Sequence, residues 1–105
     1  MSENHMPKYC LSLICAPEIE EKLLDTLLSN TDDEIFTSTP TFSHGTAHGR
    51  LSDVEKVMGR SRSVQVQIIA TEAALASLTD LLRQHFKGTG LRYWATPLSH
   101  EGEVA

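Results

Sequence analysis

Two runs of this chain alternate apolar and polar residues at a period of two, and each is followed at once by a run of helical period. In KYCLSLICA (8–16), Tyr9, Leu11, Leu13 and Cys15 share one side, and Cys10, Ser12 and Ile14 share the other. That is the pattern of a strand with one buried face. In RSVQVQIIAT (62–71), Val64, Val66, Ile68 and Ala70 alternate with Gln65 and Gln67, which marks a second strand. After the first strand, Pro17 with Glu18, Glu20 and Glu21 signals a helix start. Ile19, Leu23, Leu24, Leu27 and Leu28 then form one apolar stripe, and Asn30 ends it. After the second strand, Thr71 is placed to cap a helix whose stripe is Ala74, Leu75, Leu78, Leu81, Leu82 and Phe86. Arg83, His85 and Lys87 suit the negative end of its dipole, and Gly88 terminates it.

Each half closes on a further strand. EIFTSTPTF (34–42) is rich in threonine, with Pro40 marking an edge or a bend. LRYWATPL (91–98) is the last strand. Two strand-helix-strand halves with right-handed crossovers make a ferredoxin-like βαββαβ sandwich of the α+β class. Its four-stranded antiparallel sheet carries both helices on one face. The expected organisation is one domain over 1–105, with its core at 8–98, a long loop at 43–62 and a flexible tail at 99–105. Cys10, Ser12, Ile14, Gln65, Gln67, Ile69, Arg92 and Trp94 project from the sheet face away from the helices. A lone two-layer domain would leave Ile14, Ile69 and Trp94 wet, so that face reads as an oligomer surface.

The net charge of −5 argues against nucleic acid as a partner. The apolar runs are too short to span a membrane, and MSENHMPK has no apolar signal core. A cytoplasmic location follows as the expectation. Cys10 and Cys15 match no common zinc spacing, and each reads as a buried reduced thiol. Charge is uneven along the chain. Residues 43–62 (SHGTAHGRLSDVEKVMGRSR) carry a net +2, against −7 for the rest. The loop is therefore either a solvated loop of chance charge, an anion site or a docking surface. Within it, SDVE has the capping-box spacing, and a short helix is expected over 53–58.

The fold hosts many functions, so the residues must decide. The strand SVQVQIIAT has no aromatic residue on which RNA bases could stack. The turn after the first strand, ICAPEIEE, lacks both C-x-x-C and an arginine loop. No nucleophile and base, phosphate loop or carboxylate pair can be assembled, so no enzymatic activity is expected.

The layout of two such halves with SHGTAHGR in the long loop and KGTGLRYWATP after the second helix resembles the PII-like proteins. More narrowly, HGTAHG, LSDVEKVMGRSR and LRYWATP resemble a proteobacterial PII-like family of unknown function, whose members tend to be associated with heavy-metal efflux. The layout is also similar to that of the CutA-like trimers tied to metal tolerance. The resemblance implies a homotrimer that binds small ligands in clefts between subunits, with the loop reporting occupancy to a partner. That partner would be a membrane transporter or efflux component engaged through loop 43–62. The phosphate-cradling turn of the nucleotide-binding members corresponds to Lys87, Gly88, Thr89 and Gly90, followed by Arg92, without the full G-x-G-K pattern.

Two ligand chemistries stay open, beside a ligand-free interaction module. Neutral imidazoles of His44 and His48 suit copper, nickel or zinc. Two ligands need completing by a second subunit, a cysteine, or His100 with Glu101 and Glu103. Alternatively, Arg50, Arg60, Arg62, Lys87 and Arg92 would neutralise an anion such as an adenine nucleotide, with Gly88 and Gly90 admitting close backbone approach. That second chemistry would make a PII-type regulator of nitrogen metabolism or transport. His5 and His85 read as a tail residue and a helix-end cation.

Overall fold

The computed structural model describes residues 7–31, 34–45 and 60–104. Strand β1 runs Lys8–Cys15, and a 3-10 turn at Pro17–Ile19 leads into helix α1 at Glu20–Asn30. Strand β2 spans Phe36–His44 and strand β3 spans Arg60–Thr71. Helix α2 covers Glu72–His85, and strand β4 covers Arg92–Leu98. All pairings are antiparallel, and the strand order is β2-β3-β1-β4. This is the ferredoxin-like arrangement expected from the order of elements.

Alternation decides the layers. Leu11, Leu13 and Cys15 of β1 and Val64, Val66, Ile68 and Ala70 of β3 are buried on one face of the sheet. All of these but Ala70 pack with Leu23 and Leu27 of α1 and with Leu78, Leu82 and Phe86 at the α2 side. Thr71 caps α2 as its residue type predicts, its hydroxyl accepting from the Ala74 N–H at 3.2 Å. Leu28 departs from the expected stripe and is 65% exposed. Leu27, on the same turn, is fully buried, so Leu28 lies to the side of the buried stripe. The second strand was expected at 34–42 and is found at Phe36–His44. Its threonines and serines carry no alternation that could fix the ends.

The opposite face is arranged as the alternation predicts. Cys10, Ser12 and Ile14 stand across from Ile69, Gln67 and Gln65 on one side. They stand across from Thr96, Trp94 and Arg92 on the other. Ser12 is only 2% exposed even here and accepts a hydrogen bond from Gln67 Nε2 at 3.2 Å. Ile69 and Trp94 remain 39% and 47% exposed. Cys10 is half-buried on this face, so only Cys15 is a core thiol. Burial pushes the Cys15 thiol up to about 11, and the charges of Glu20 and Glu18 push the same way.

The β2–β3 ladder outruns the rest of the sheet. β1 ends at Cys15 opposite Val64, whereas β3 continues backwards to Arg60, paired with His44. A two-stranded arm thus leaves the sheet at the end where β4 begins, because Arg92 stands across from Ile14. Beyond β4, Glu101 Oε2 is 3.4 Å from Lys8 Nζ. The described helices include none long and apolar enough to cross a membrane.

Candidate functional site

The turn between α2 and β4 is built from its own hydrogen bonds. The Phe86 N–H donates to Leu82 O at 2.9 Å. The Thr89 N–H and hydroxyl both donate to Phe86 O, at 3.2 and 2.7 Å. The Leu91 N–H donates to Thr89 Oγ1 at 3.3 Å. Such a path needs left-handed backbone at two places, and glycine supplies it: φ is 83° at Gly88 and 84° at Gly90. A Cβ on Gly88 would meet nothing within 4 Å, so backbone conformation and not space selects glycine there. Lys22 of α1 holds this end of α2. Its Nζ donates to His85 O at 3.0 Å and sits 4.9 Å from the Phe86 ring centre. A cation at a helix C-terminus suits the dipole, and one over a ring suits the quadrupole.

Against this turn lies an open cleft of about 420 Å³. Leu82, Phe86, Leu91 and Tyr93 form its apolar floor, and Arg83, Lys87, Gly88 and Gly90 form its rim. The Arg83 guanidinium lies 5.7 Å from the Tyr93 ring centre. Its Nη2 donates to the Tyr93 hydroxyl at 2.5 Å, and its Nη1 is 3.5 Å from Asp80 Oδ1. Neither Arg83 nor Tyr93 stands out as a site residue in the sequence. Arg83 and Lys87 are four apart, one helical turn, and that spacing is the available signal. That Tyr93 faces them depends on β4 folding back beside α2.

The candidate anion residues divide into groups. Lys87, Gly88 and Gly90 come together at the cleft. Arg92 does not join them: it adjoins Tyr93 on a strand, where neighbours face opposite ways. Its partner Ile14 places it on the open face. Arg60 and Arg62 stand on the arm across from His44 and Phe42. β3 is two strands from β4, about 10 Å, and Arg62 lies another ~10 Å along the strand beyond Gln65. One chain therefore does not gather Arg60 and Arg62 with Lys87. His48, Arg50 and the helix expected at 53–58 lie outside the described residues.

The candidate metal residues gain no completing set within one chain. His44 ends β2 with Arg60 as its register partner. Glu101 pairs with Lys8, at the other end of β1. The eight residues of β1 separate the two ends by ~25 Å. His100, Glu101 and Glu103 therefore lie far from His44. Cys15 is buried and holds its proton, which a ligand thiolate must lose. Among the described residues no three His, Cys, Asp or Glu side chains are grouped to hold a metal ion.

A family model described as "Protein of unknown function (DUF3240)" matches residues 5–105, and the chain belongs to that family. Its structure is similar to that of a DUF3240 family protein from Shewanella baltica OS155, with a TM-score of 0.65 at 21% identity, covering 93% of this chain and 97% of that one. It is also similar to GlnK of B. subtilis in complex with ATP, with a TM-score of 0.66 at 11% identity over 89% and 83% of the two chains. A third similar structure is a putative PII-like signaling protein from Thermus thermophilus, with a TM-score of 0.60 at 17% identity over 89% and 88%. No curated protein matches the chain. At these identities the likenesses establish the fold, which is that of the PII-like proteins.

Proposed function

We propose that this protein is a non-catalytic PII-like regulator, a homotrimer in which a small ligand at the α2–β4 cleft alters the β2–β3 arm and, through it, the docking of a partner. The observation that carries the reading is the placement of cleft and arm. The Lys87–Gly90 turn and the projecting strands Phe36–His44 and Arg60–Thr71 leave the same end of one sheet. Within a chain strand β1 lies between them, so a second copy set beside β4 is what would bring an arm to the cleft. The similar B. subtilis protein is captured with ATP, which supports a small anionic ligand for the fold. The basic character of residues 43–62 and the cations at the cleft support the same chemistry.

The resemblance to efflux-associated relatives supports a transporter or efflux component as the partner, and copper, nickel or zinc at His44 and His48 as the competing ligand. Full-length protein titrated in turn with 4-phenylbutyrate, ATP, ADP, copper, nickel and zinc, and then exposed to trypsin, tests this. The reading expects one anion to protect the sites within 43–62 without being turned over. Metal protection lost in a His44→Ala/His48→Ala variant would replace the anion by a metal. Steady ATP hydrolysis would overturn the non-catalytic reading.

A further inference from the structure

We infer that the cleft takes an amphipathic monoanion, a carboxylate on an apolar or aromatic body, and not a polyphosphate. This rests on the reading that the cleft is the effector site. The first argument is charge. Among the described residues Arg83 and Lys87 are the cations that line the cleft, Lys22 being committed to the His85 carbonyl, and Asp80 offsets one of them at 3.5 Å from Arg83 Nη1. The surplus of these lining residues is close to one positive charge, which matches one carboxylate and falls well short of a triphosphate. Arg92, the next cation in sequence, stands on the other face of the sheet.

The second argument is the donor set. Arg83 spends donors on Tyr93 and Asp80 and keeps others of its five. The Tyr93 hydroxyl accepts from Arg83, so its own proton points to a further acceptor. The amides of Thr89 and Leu91 are taken up inside the turn, whereas those of Gly88 and Gly90 make no hydrogen bond among the described residues. A planar carboxylate fits beside a guanidinium that a tyrosine hydroxyl holds in place. The third argument is the floor. Leu82, Phe86, Leu91 and Tyr93 present hydrocarbon and no base-reading amide or hydroxyl besides that of Tyr93. At about 420 Å³ the cleft is in the size range of a small-molecule site.

The test is heteronuclear NMR on the full-length protein, with 4-phenylbutyrate, its neutral amide 4-phenylbutyramide, and ATP as probes. The proposal expects saturable shifts at residues 87–91 with the carboxylate and at least about tenfold weaker binding of the amide. Arg83→Gln should weaken the carboxylate about tenfold, and Tyr93→Phe by a smaller factor, with unchanged circular dichroism. Equal binding of acid and amide would overturn the anionic part of the proposal. Shifts at 87–91 with ATP alone would overturn the ligand class while keeping the effector cleft, the missing cations then coming from a second copy. Shifts confined to other residues, or none with any probe, would overturn the proposal together with the effector-cleft reading.

Discussion

Replacing Trp94 by lysine should take the proposed homotrimer apart while leaving the protomer folded. Trp94 stands on β4 opposite Ser12, on the sheet face without helices, and is 47% exposed in one chain. An aromatic side chain buries roughly 200 Å² when covered completely. About 100 Å² therefore remains to be buried on assembly, worth ~2.5 kcal/mol per protomer at ~25 cal/mol per Å². Three copies give ~7.5 kcal/mol, a factor of about 10⁵ in the trimer dissociation constant. The midpoint concentration for a trimer scales as the square root of that constant, so it should rise about 300-fold. Lysine adds three like charges around one axis and moves it further. Sedimentation velocity from 0.1 to 100 µM protein (a span of about three decades) reads the shift, and circular dichroism checks the fold. A trimer in Trp94→Lys at the wild-type midpoint would refute the assignment of this face to assembly. So would a wild-type monomer throughout the range.

The remaining predictions concern the core thiol and the cleft's scaffold. Below pH 9 the Cys15 thiol is protonated in both folded and unfolded chains. Between the unfolded value of 9.0 and the folded value of about 11, only the unfolded chain releases the proton, so stability falls as pH rises through that window. The loss should reach about 2–3 kcal/mol by urea titration and should be absent from Cys15→Ala. Gly88→Ala should destabilise by ~1–2 kcal/mol through backbone conformation alone, since a Cβ there meets no atom. Gly102→Ala, without such a φ, should change thermal stability by less than ~0.5 kcal/mol. Lys22→Met keeps the stem near Phe86 but loses the bond to His85 O, and should cost about 1 kcal/mol in the same assay.

The fold was legible because two strands announce themselves by alternation. The expected 8–16 and 62–71 are found as Lys8–Cys15 and Arg60–Thr71. Burial at Leu11, Leu13, Val64, Val66 and Ile68 follows the apolar positions of the period-two pattern, although Ser12 and Ser63 beside them are buried as well. Capping chemistry was equally direct at Thr71, and Asn30 is the last residue of α1, with Thr31 as its C-cap. β2 lies two residues later than its sequence suggests, because an edge strand of threonine and serine carries little hydrophobic signal. The site was less legible. Lys87, Gly88 and Gly90 are neighbours in sequence and stay together, whereas Arg92 is separated from them by strand alternation. Arg83 reads from its position as a helix-end cation. Its partner Tyr93 lies ten residues on, and only the return of β4 along α2 brings the two together.

Amide hydrogen exchange of the assembled protein tests most directly the claim that cleft and arm are coupled. Exchange would be followed at 87–91 for the cleft and at 41–44 and 60–63 for the arm, with and without saturating 4-phenylbutyrate or ATP. The account predicts that the ligand which protects 87–91 also slows exchange in the arm by about fivefold or more, the lower end of an ordinary coupling free energy. Protection of 87–91 with arm exchange unchanged would contradict it.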